Sequence, residues 1–195
     1  MKGCRPLTRN EVKTVLTRVN SIREKTLLVV GFATGYRISE LLSMRVKDVA
    51  SKTGEILRYA HVRKTKNGEG RSVLLNSDAQ KILRELVRHL RGLGFGDDTP
   101  LFISRKHDAD GNVKAISRQQ AWNLLKQLFE MANIFGNVAT HSMRKTYAAF
   151  MREALKGDLA KLQAALGHKA ITSTISYISF AHEEIDDAIT SISLL

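Results

Sequence analysis

The chain has 195 residues, 43% of them hydrophobic, and its 31 Lys and Arg against 19 Asp and Glu give a formal net charge of +12. No apolar run is long enough to span a bilayer, no signal peptide opens the chain, and the lone Cys4 excludes a disulfide framework or a cysteine-based metal site. The basic excess favours a polyanionic partner, nucleic acid before an anionic membrane surface, and a merely basic protein is the alternative.

The first quarter of the chain is predicted to be helical. Thr8 and Ser21 each stand three residues before a glutamate, a spacing typical of the capping box at the first helical turn. The apolar stretch after Ser21 can end at Gly35, because glycine readily adopts the left-handed conformation that closes helices. A short helix is predicted next, over residues 38–46.

Between residues 55 and 75 the pattern changes to the alternation of a β-strand, followed by a return strand. Asn67-Gly68 is a turn signal, so the chain is predicted to be mainly α with a small antiparallel β-hairpin, an α+β class. Lys64 and Lys66 fall on the same side of the first strand. A basic hairpin can follow a nucleic-acid groove and touch phosphates, and a solvated charged turn is the alternative.

The rest of the chain returns to helices. Ser77 is predicted to cap a helix that runs to about Arg91, and Ser117 a helix that runs to about Ala132, because each serine has a glutamine three residues later. Residues 101–104 are predicted to be extended, as a short strand or an irregular segment. The sequence therefore indicates further helices after this point, without repeats or a clear domain linker.

Two stretches combine residues suited to binding an anion. Arg37 follows Gly35 at a junction of two helices, where backbone is exposed; a surface arginine paired with Glu40 is the alternative. His141 and Arg144 are three residues apart, so on a helix capped by Thr140 they share one face and can hold a phosphate. No P-loop, HExxH cluster or serine nucleophile elbow is present.

A third stretch, LGHKAITSTISY, contains His168 and, nine residues later, Tyr177. Together and in this order, these segments resemble the tyrosine recombinase family, which includes phage integrases, Xer-type recombinases and Cre. ATGYRISELLSMRVKD is similar to the first arginine box of that family and HSMRKTYA to its His-x-x-Arg box. LGHKAITSTISY is similar to its Leu-Gly-His segment and nucleophilic tyrosine.

The resemblance implies the catalytic-domain fold of that family and a role for each matched residue. Tyr177 would attack a DNA phosphate, forming a 3′-phosphotyrosyl bond and freeing a 5′-hydroxyl. Lys64 would protonate the leaving oxygen, with Lys66 as the alternative. Four further residues would bind the phosphate: Arg37, His141, Arg144 and His168. For His141, assistance of proton transfer is the alternative role. Glu40 would support Arg37, and three other residues are predicted to contact DNA: Arg63, Arg71 and Lys145.

One position departs from the pattern, since Lys145 stands where many relatives have a histidine. The phosphotyrosyl link would keep the energy of the cut bond, so the resemblance implies no cofactor and no metal. It implies double-stranded DNA as partner, an assembly of two to four copies on DNA, a monomer when free, no membrane, and a cytoplasmic, nucleoid-associated location. A non-catalytic DNA-binding protein on the same fold and a type IB topoisomerase-like enzyme are the alternatives.

The resemblance covers essentially the whole chain, which predicts a single catalytic domain over residues 1–195. The N-terminal core-binding domain that most relatives carry would be absent, either excised or naturally missing. A last helix over residues 183–195 has four apolar residues on one stripe: Ile185, Ala188, Ile189 and Ile192. This helix is predicted to dock on a neighbouring protomer, and packing on its own protomer is the alternative.

Overall fold

The computed structural model of the chain describes residues 3–63, 70–107, 110–168 and 170–175. Within these ranges it has eight α-helices, one short 3₁₀ turn and one two-stranded antiparallel sheet. The prediction of a mainly helical fold with a small hairpin is confirmed. Three predicted site residues and the predicted C-terminal helix lie outside the described ranges: Lys64, Lys66, Tyr177 and residues 183–195.

The helices are α1 (Arg9–Arg18), α2 (Ile22–Thr34), α3 (Ile38–Ser43), α4 (Ser77–Gly92), α5 (Arg118–Met131), α6 (Thr140–Ala154), α7 (Leu159–Leu166) and α8 (Ile171–Ile175). The sheet consists of β1 (Tyr59–Val62) and β2 (Arg71–Leu74), and the 3₁₀ turn is Val46–Asp48. The chain forms two compact units, Met1–Tyr147 and Ala148–Leu195, with the boundary inside α6. In the described ranges, no helix is both long and apolar enough to cross a membrane.

Helix starts follow the capping signals closely, with two corrections. Thr8 and Ser117 form the predicted capping boxes at α1 and α5. The cap of α4 is Asn76 and not Ser77, because the Asn76 side chain accepts a hydrogen bond from the Ala79 N–H. Thr140 is not a cap either. It is the first residue of α6, and the Ser142 hydroxyl accepts a hydrogen bond from the backbone N–H of Ala139, which precedes the helix.

The core of the first unit forms where the apolar faces of its helices meet. In α4 the buried residues recur at the spacing of one helical face: Ala79, Ile82, Leu83, Leu86, Val87 and Leu90. This face packs against α2, which is apolar on most of its surface, and α1 and α3 pack against α5. The core therefore supports α2 from one side, and α2 ends next to the residues of the predicted arginine box.

The hairpin is short and one-sided. Tyr59 pairs with Leu74 and Val62 with Arg71 in antiparallel register. Alternate residues of β1 are buried and exposed, as predicted, because successive side chains of a strand point to opposite faces. The predicted extended segment near residue 103 forms only one isolated bridge, between Ile103 and Ala115.

Candidate functional site

A cavity of about 750 Å³, lined mostly by polar residues, opens in the first unit beside α3, the first turn of α5 and the first two turns of α6. Four of the predicted site residues line it: Arg37, Glu40, His141 and Arg144. The structure thus brings together residues that lie more than 100 positions apart in the sequence. Among the described residues, three arginines line this cavity, since Arg118, the first residue of α5, is also part of its wall.

Glu40 holds Arg37 at the start of α3. One carboxylate oxygen of Glu40 accepts from the backbone N–H of Arg37 at 2.8 Å, and the other accepts from Arg37 Nη1 at 2.9 Å. Glu40 is only 3% exposed, whereas the Arg37 side chain is 26% exposed, so a buried carboxylate holds a guanidinium that still reaches solvent. The side chain of Arg37 therefore has a fixed direction at the cavity wall.

Arg144, on α6, binds the turn at Gly35 that precedes Arg37. Its side chain is 1% exposed, and its Nη1 donates to the carbonyl oxygen of Gly35 at 2.6 Å. Gly35 ends α2 in the left-handed conformation, with a φ of 60°, as predicted. The turn at Gly35 consequently positions both arginines, Arg37 through the chain and Arg144 through a hydrogen bond.

The substitution Gly35→Ala is expected to destabilise the protein. A non-glycine residue in the left-handed region is strained, and a Cβ on Gly35 would lie 2.3 Å from Cδ1 of the buried Tyr147 ring. Backbone strain and overpacking together are expected to lower the free energy of unfolding by about 2–5 kcal/mol. Urea denaturation of both proteins would measure this loss.

Gly92→Ala is the matched control. Gly92 is the last residue of α4, and a Cβ there would meet nothing within 4 Å. The Gly92→Ala variant is expected to have an unchanged or slightly increased free energy of unfolding, because alanine lowers the entropy of the unfolded chain. Equal stability of the Gly35 variant and the wild type would contradict the close approach of Gly35 and Tyr147.

His141 lies at the cavity, one helical turn before Arg144 on α6. Although the residue is exposed, the surrounding protein withdraws the imidazole from part of its water, which lowers the pKa of His141. The positive charges of Arg144, Lys145 and Arg37 lower the pKa of His141 further. The imidazole is therefore neutral near pH 7 and can accept a proton.

The imidazole of His141 is expected to titrate below pH 6.5 in the free protein, because its pKa is lower in the folded than in the unfolded state. The unfolded chain then binds the proton first as pH falls, so the contribution of His141 to stability is present above about pH 6.5 and lost as pH falls through the folded pKa. NMR titration of the Cε1–H signal, assigned with His141→Gln, checks this. A midpoint at or above 6.5 would contradict the electrostatics of the cavity.

His168 belongs to the second unit. It follows Gly167, which ends α7 in the left-handed conformation with a φ of 63°. Its Nδ1 lies 2.9 Å from the hydroxyl of the buried Thr174 on α8, and its backbone N–H donates to the Gln163 carbonyl. The ring of His168 is consequently oriented by the short helix that precedes the Tyr177 position in the sequence.

The three predicted DNA-contacting residues differ in their surroundings. Arg63 is exposed at the end of β1 and pairs with Asp48 at 3.4 Å. Lys145 is half-buried beside Arg144. Arg71 is half-buried too, because its guanidinium lies over the Tyr36 ring and donates to the Thr34 carbonyl. Of the three, Arg63 presents the most side chain to solvent.

The sequence did not single out Arg118 or Tyr36, although both line the cavity. Arg118 directly follows the capping serine of α5, but nothing in the local pattern separates it from other surface arginines. Tyr36 stands next to Arg37, and this adjacency was the only available signal. Within the part of the chain that the structure describes, no three His, Cys, Asp or Glu residues come together as a metal site.

Comparison with known proteins places these features in context. The phage integrase family matches the chain over residues 5–184. Tyrosine recombinase XerD of Corynebacterium glutamicum is 32% identical over 157 residues, which are 80% of this chain and 48% of that protein. Tyrosine recombinase XerA of Pyrococcus furiosus is 28% identical over 193 residues, which are 97% of this chain and 62% of that protein.

Solved structures show the same fold. A XerA recombinase crystal structure matches 97% of this chain and 64% of its own, with a TM-score of 0.76 and 22% identity. XerH bound to its difH substrate before cleavage matches 98% of this chain and 55% of its own, with a TM-score of 0.73 and 20% identity. The fold predicted from the sequence is confirmed. The chain spans 48% and 62% of the length of the two curated relatives.

Proposed function

The chain belongs to the phage integrase family, and from that membership we propose that it is a site-specific DNA recombinase or the catalytic domain of one. It cuts and rejoins double-stranded DNA through a covalent 3′-phosphotyrosyl intermediate on Tyr177. The observation that supports this most directly is the cavity in which Arg37, His141 and Arg144 meet, although they come from two distant motifs.

The cavity suits a phosphodiester in the transition state of its cleavage. Attack on a phosphodiester builds negative charge on the two non-bridging oxygens, and guanidinium groups neutralise it with permanent charge and paired donors. Arg37 and Arg144 are held before substrate arrives, by Glu40 and by the Gly35 carbonyl. Such preorganisation avoids the cost of moving charged groups during the reaction.

His141 and His168 complete the phosphate site in this proposal. His141 is neutral near pH 7 because of the lowered pKa, so it can take the proton of an attacking phenol or donate its N–H to a phosphate oxygen. An approaching phosphate would raise the pKa of His141, since a negative charge favours the protonated ring. His168 is assigned to the same phosphate by its motif.

Tyr177 is the tyrosine best suited to be the nucleophile. The chain has four tyrosines, and two of them, Tyr36 and Tyr147, are buried, which raises the pKa of both phenols. Tyr59 is exposed, but it lies on β1 outside every family motif. Tyr177 stands in the Leu-Gly-His segment at the spacing of the family. A free phenol has a pKa near 10, so its activation depends on the positive cavity.

The hairpin supplies the acid. A 5′-alkoxide is a poor leaving group, and a lysine ammonium can donate a proton to it as the phosphorus–oxygen bond breaks. We assign this role to Lys64, with Lys66, two residues later in the sequence, as the alternative. The 5′-hydroxyl so formed can attack the phosphotyrosyl bond of the same or another strand, which rejoins DNA without an external energy source.

A suicide substrate tests the proposal. DNA nicked just beyond the cleavage site loses its short 5′-hydroxyl fragment by diffusion, so the covalent adduct accumulates. We expect a protein–DNA adduct on denaturing gels, and mass spectrometry of its tryptic peptides should locate the phosphate on Tyr177. The candidate site is taken from the DNA that flanks the gene.

Other outcomes would point elsewhere. Salt-dependent binding without any adduct would identify a DNA-binding protein that lacks catalysis. An adduct accompanied by relaxation of supercoiled plasmid without site preference would identify a type IB topoisomerase-like enzyme. An adduct mapped to another residue would refute the assignment of the nucleophile.

A further inference from the structure

Tyr36 links the predicted arginine box to the base of the hairpin. It immediately precedes Arg37 and is 1% exposed. Its hydroxyl lies 3.0 Å from the Ala60 carbonyl oxygen on β1 and 3.0 Å from the Arg71 carbonyl oxygen on β2. One side-chain atom therefore contacts both strands, although it belongs to neither.

In this contact the Tyr36 hydroxyl is the hydrogen-bond donor and the two carbonyl oxygens are the acceptors. A phenol has one proton to donate, and the two carbonyls share it as acceptors. Burial raises the pKa of Tyr36, so the hydroxyl stays protonated and remains a donor at all working pH values. Removing it would leave its two acceptors without this buried donor, which is costlier than losing an exposed hydrogen bond.

The ring of Tyr36 is also held in place. The guanidinium of Arg71 lies over it, 5.1 Å from its centroid, and donates to the Thr34 carbonyl at 3.3 Å. Arg71 is the first residue of β2 and pairs with Val62, the last residue of β1. Tyr36 and Arg71 thus connect the end of α2 to the Val62–Arg71 pair at the end of the described sheet.

This connection matters because a two-stranded hairpin has little stability of its own. Its orientation must come from packing against the rest of the fold. Lys64 follows Val62 by two residues, so chain connectivity alone keeps its Cα within about 7 Å of the Val62 Cα. A small rotation of the Val62–Arg71 pair would therefore displace any lysine carried just beyond it.

We propose that Tyr36 is a positioning residue for catalysis: its hydroxyl holds the base of the hairpin against the turn that carries Arg37, and so aligns the hairpin lysine with the phosphate site. The inference rests on the proposed function, in which Lys64 or Lys66 protonates the leaving oxygen. Tyr36 itself touches no substrate in this role. It acts through the hairpin, and its loss should mimic partial loss of the acid.

The test is Tyr36→Phe on two suicide substrates that differ in one atom. The first has the ordinary 5′-oxygen at the cut bond and the second a 5′-sulfur, whose thiolate leaves without a proton. On the oxygen substrate we expect adduct formation to slow by about 10- to 100-fold, the effect of a small misplacement of a catalytic group. On the sulfur substrate the rate should return to within about threefold of the wild type.

Three further variants are measured on the same two substrates. Lys64→Ala and Lys66→Ala identify the acid, because of these two lysine variants only the one that lacks the acid should be slow on the oxygen substrate and rescued by sulfur. Tyr59→Phe is the matched control, since it removes an exposed hydroxyl from β1 and should leave both rates unchanged. Combining Tyr36→Phe with replacement of the acid should add little further loss on the oxygen substrate, because both changes remove the same contribution.

The inference is overturned if Tyr36→Phe is as active as the wild type on the oxygen substrate, or equally slow on both substrates. If Tyr36→Phe does not fold, Arg71→Lys replaces it: this variant loses the flat stacking on the Tyr36 ring and should show a smaller loss with the same rescue by sulfur. A wild-type protein that forms no adduct on either substrate would refute the proposed function, and this inference with it.

Discussion

Tyr177→Phe is expected to abolish the covalent adduct on a suicide substrate while leaving DNA affinity within about twofold. Phenylalanine keeps the ring and removes only the oxygen that would form the bond to phosphorus, so no alternative chemistry is available to it. The two buried tyrosines cannot substitute, because reaching a phosphate would require them to leave the core. Denaturing gels measure the adduct, and fluorescence anisotropy with labelled DNA measures the affinity.

Tyr59→Phe is the control for this variant too. It makes the same chemical change at an exposed tyrosine on β1, and its adduct yield is expected to equal that of the wild type. An adduct formed by Tyr177→Phe would show that another residue is the nucleophile. Loss of the adduct in both variants would show that the measured defect lies in DNA binding or folding and not in the nucleophile.

Arg144→Lys is expected to slow adduct formation by about 100- to 1,000-fold, comparable to the loss of one donor from an oxyanion site. Lysine keeps a positive charge but cannot hold the Gly35 carbonyl and also present a planar pair of donors to phosphate. Burial adds to the effect, since the site is 1% exposed and desolvation lowers the pKa of a lysine. Single-turnover rates at saturating protein isolate this step from binding.

Arg88→Lys is the matched control for this substitution. Arg88 is an exposed arginine of α4, outside the wall of the candidate cavity, and the change is expected to leave the cleavage rate and DNA affinity unaltered. Arg144→Lys should weaken DNA affinity far less than it slows cleavage, because most of the affinity comes from many phosphates along the duplex. A rate within a few-fold of the wild type would contradict the central place of Arg144 in the cavity.

Local sequence signals predicted most of the secondary structure. Thr8 and Ser117 each combine an N-cap side chain with an acidic or amide partner three residues later, and both helices begin where these signals stand. The alternation near Ala60 predicted a strand with two distinct sides, and alternate residues of β1 are buried and exposed. The misses at α4 and α6 concern one residue at each helix start: Asn76 and not Ser77 caps α4, and Thr140 is the first residue of α6, where the Ser142 hydroxyl accepts from the Ala139 N–H.

The membership of the chain in its family was also available from the sequence, because it depends on residue types in a fixed order. Arg37, the His141-x-x-Arg144 pair and the Leu-Gly-His segment each carry little weight alone, and their order along the chain carries the resemblance. The same order implied the chemistry that we propose for the site. The supporting role of Glu40 was implied by the resemblance of the first arginine box, and its two hydrogen bonds to Arg37 are made across the first turn of α3.

Only the tertiary structure decided how these residues meet. Arg144 reaches the Gly35 carbonyl across 109 residues, Arg118 joins the cavity from α5, and the Tyr36 hydroxyl contacts both strands of the hairpin. Local propensity depends on neighbours three or four positions away, whereas these contacts depend on how α2, α5, α6 and the hairpin pack around one core. The sequence by itself determined which groups the protein has, and packing determined which of them share a cavity.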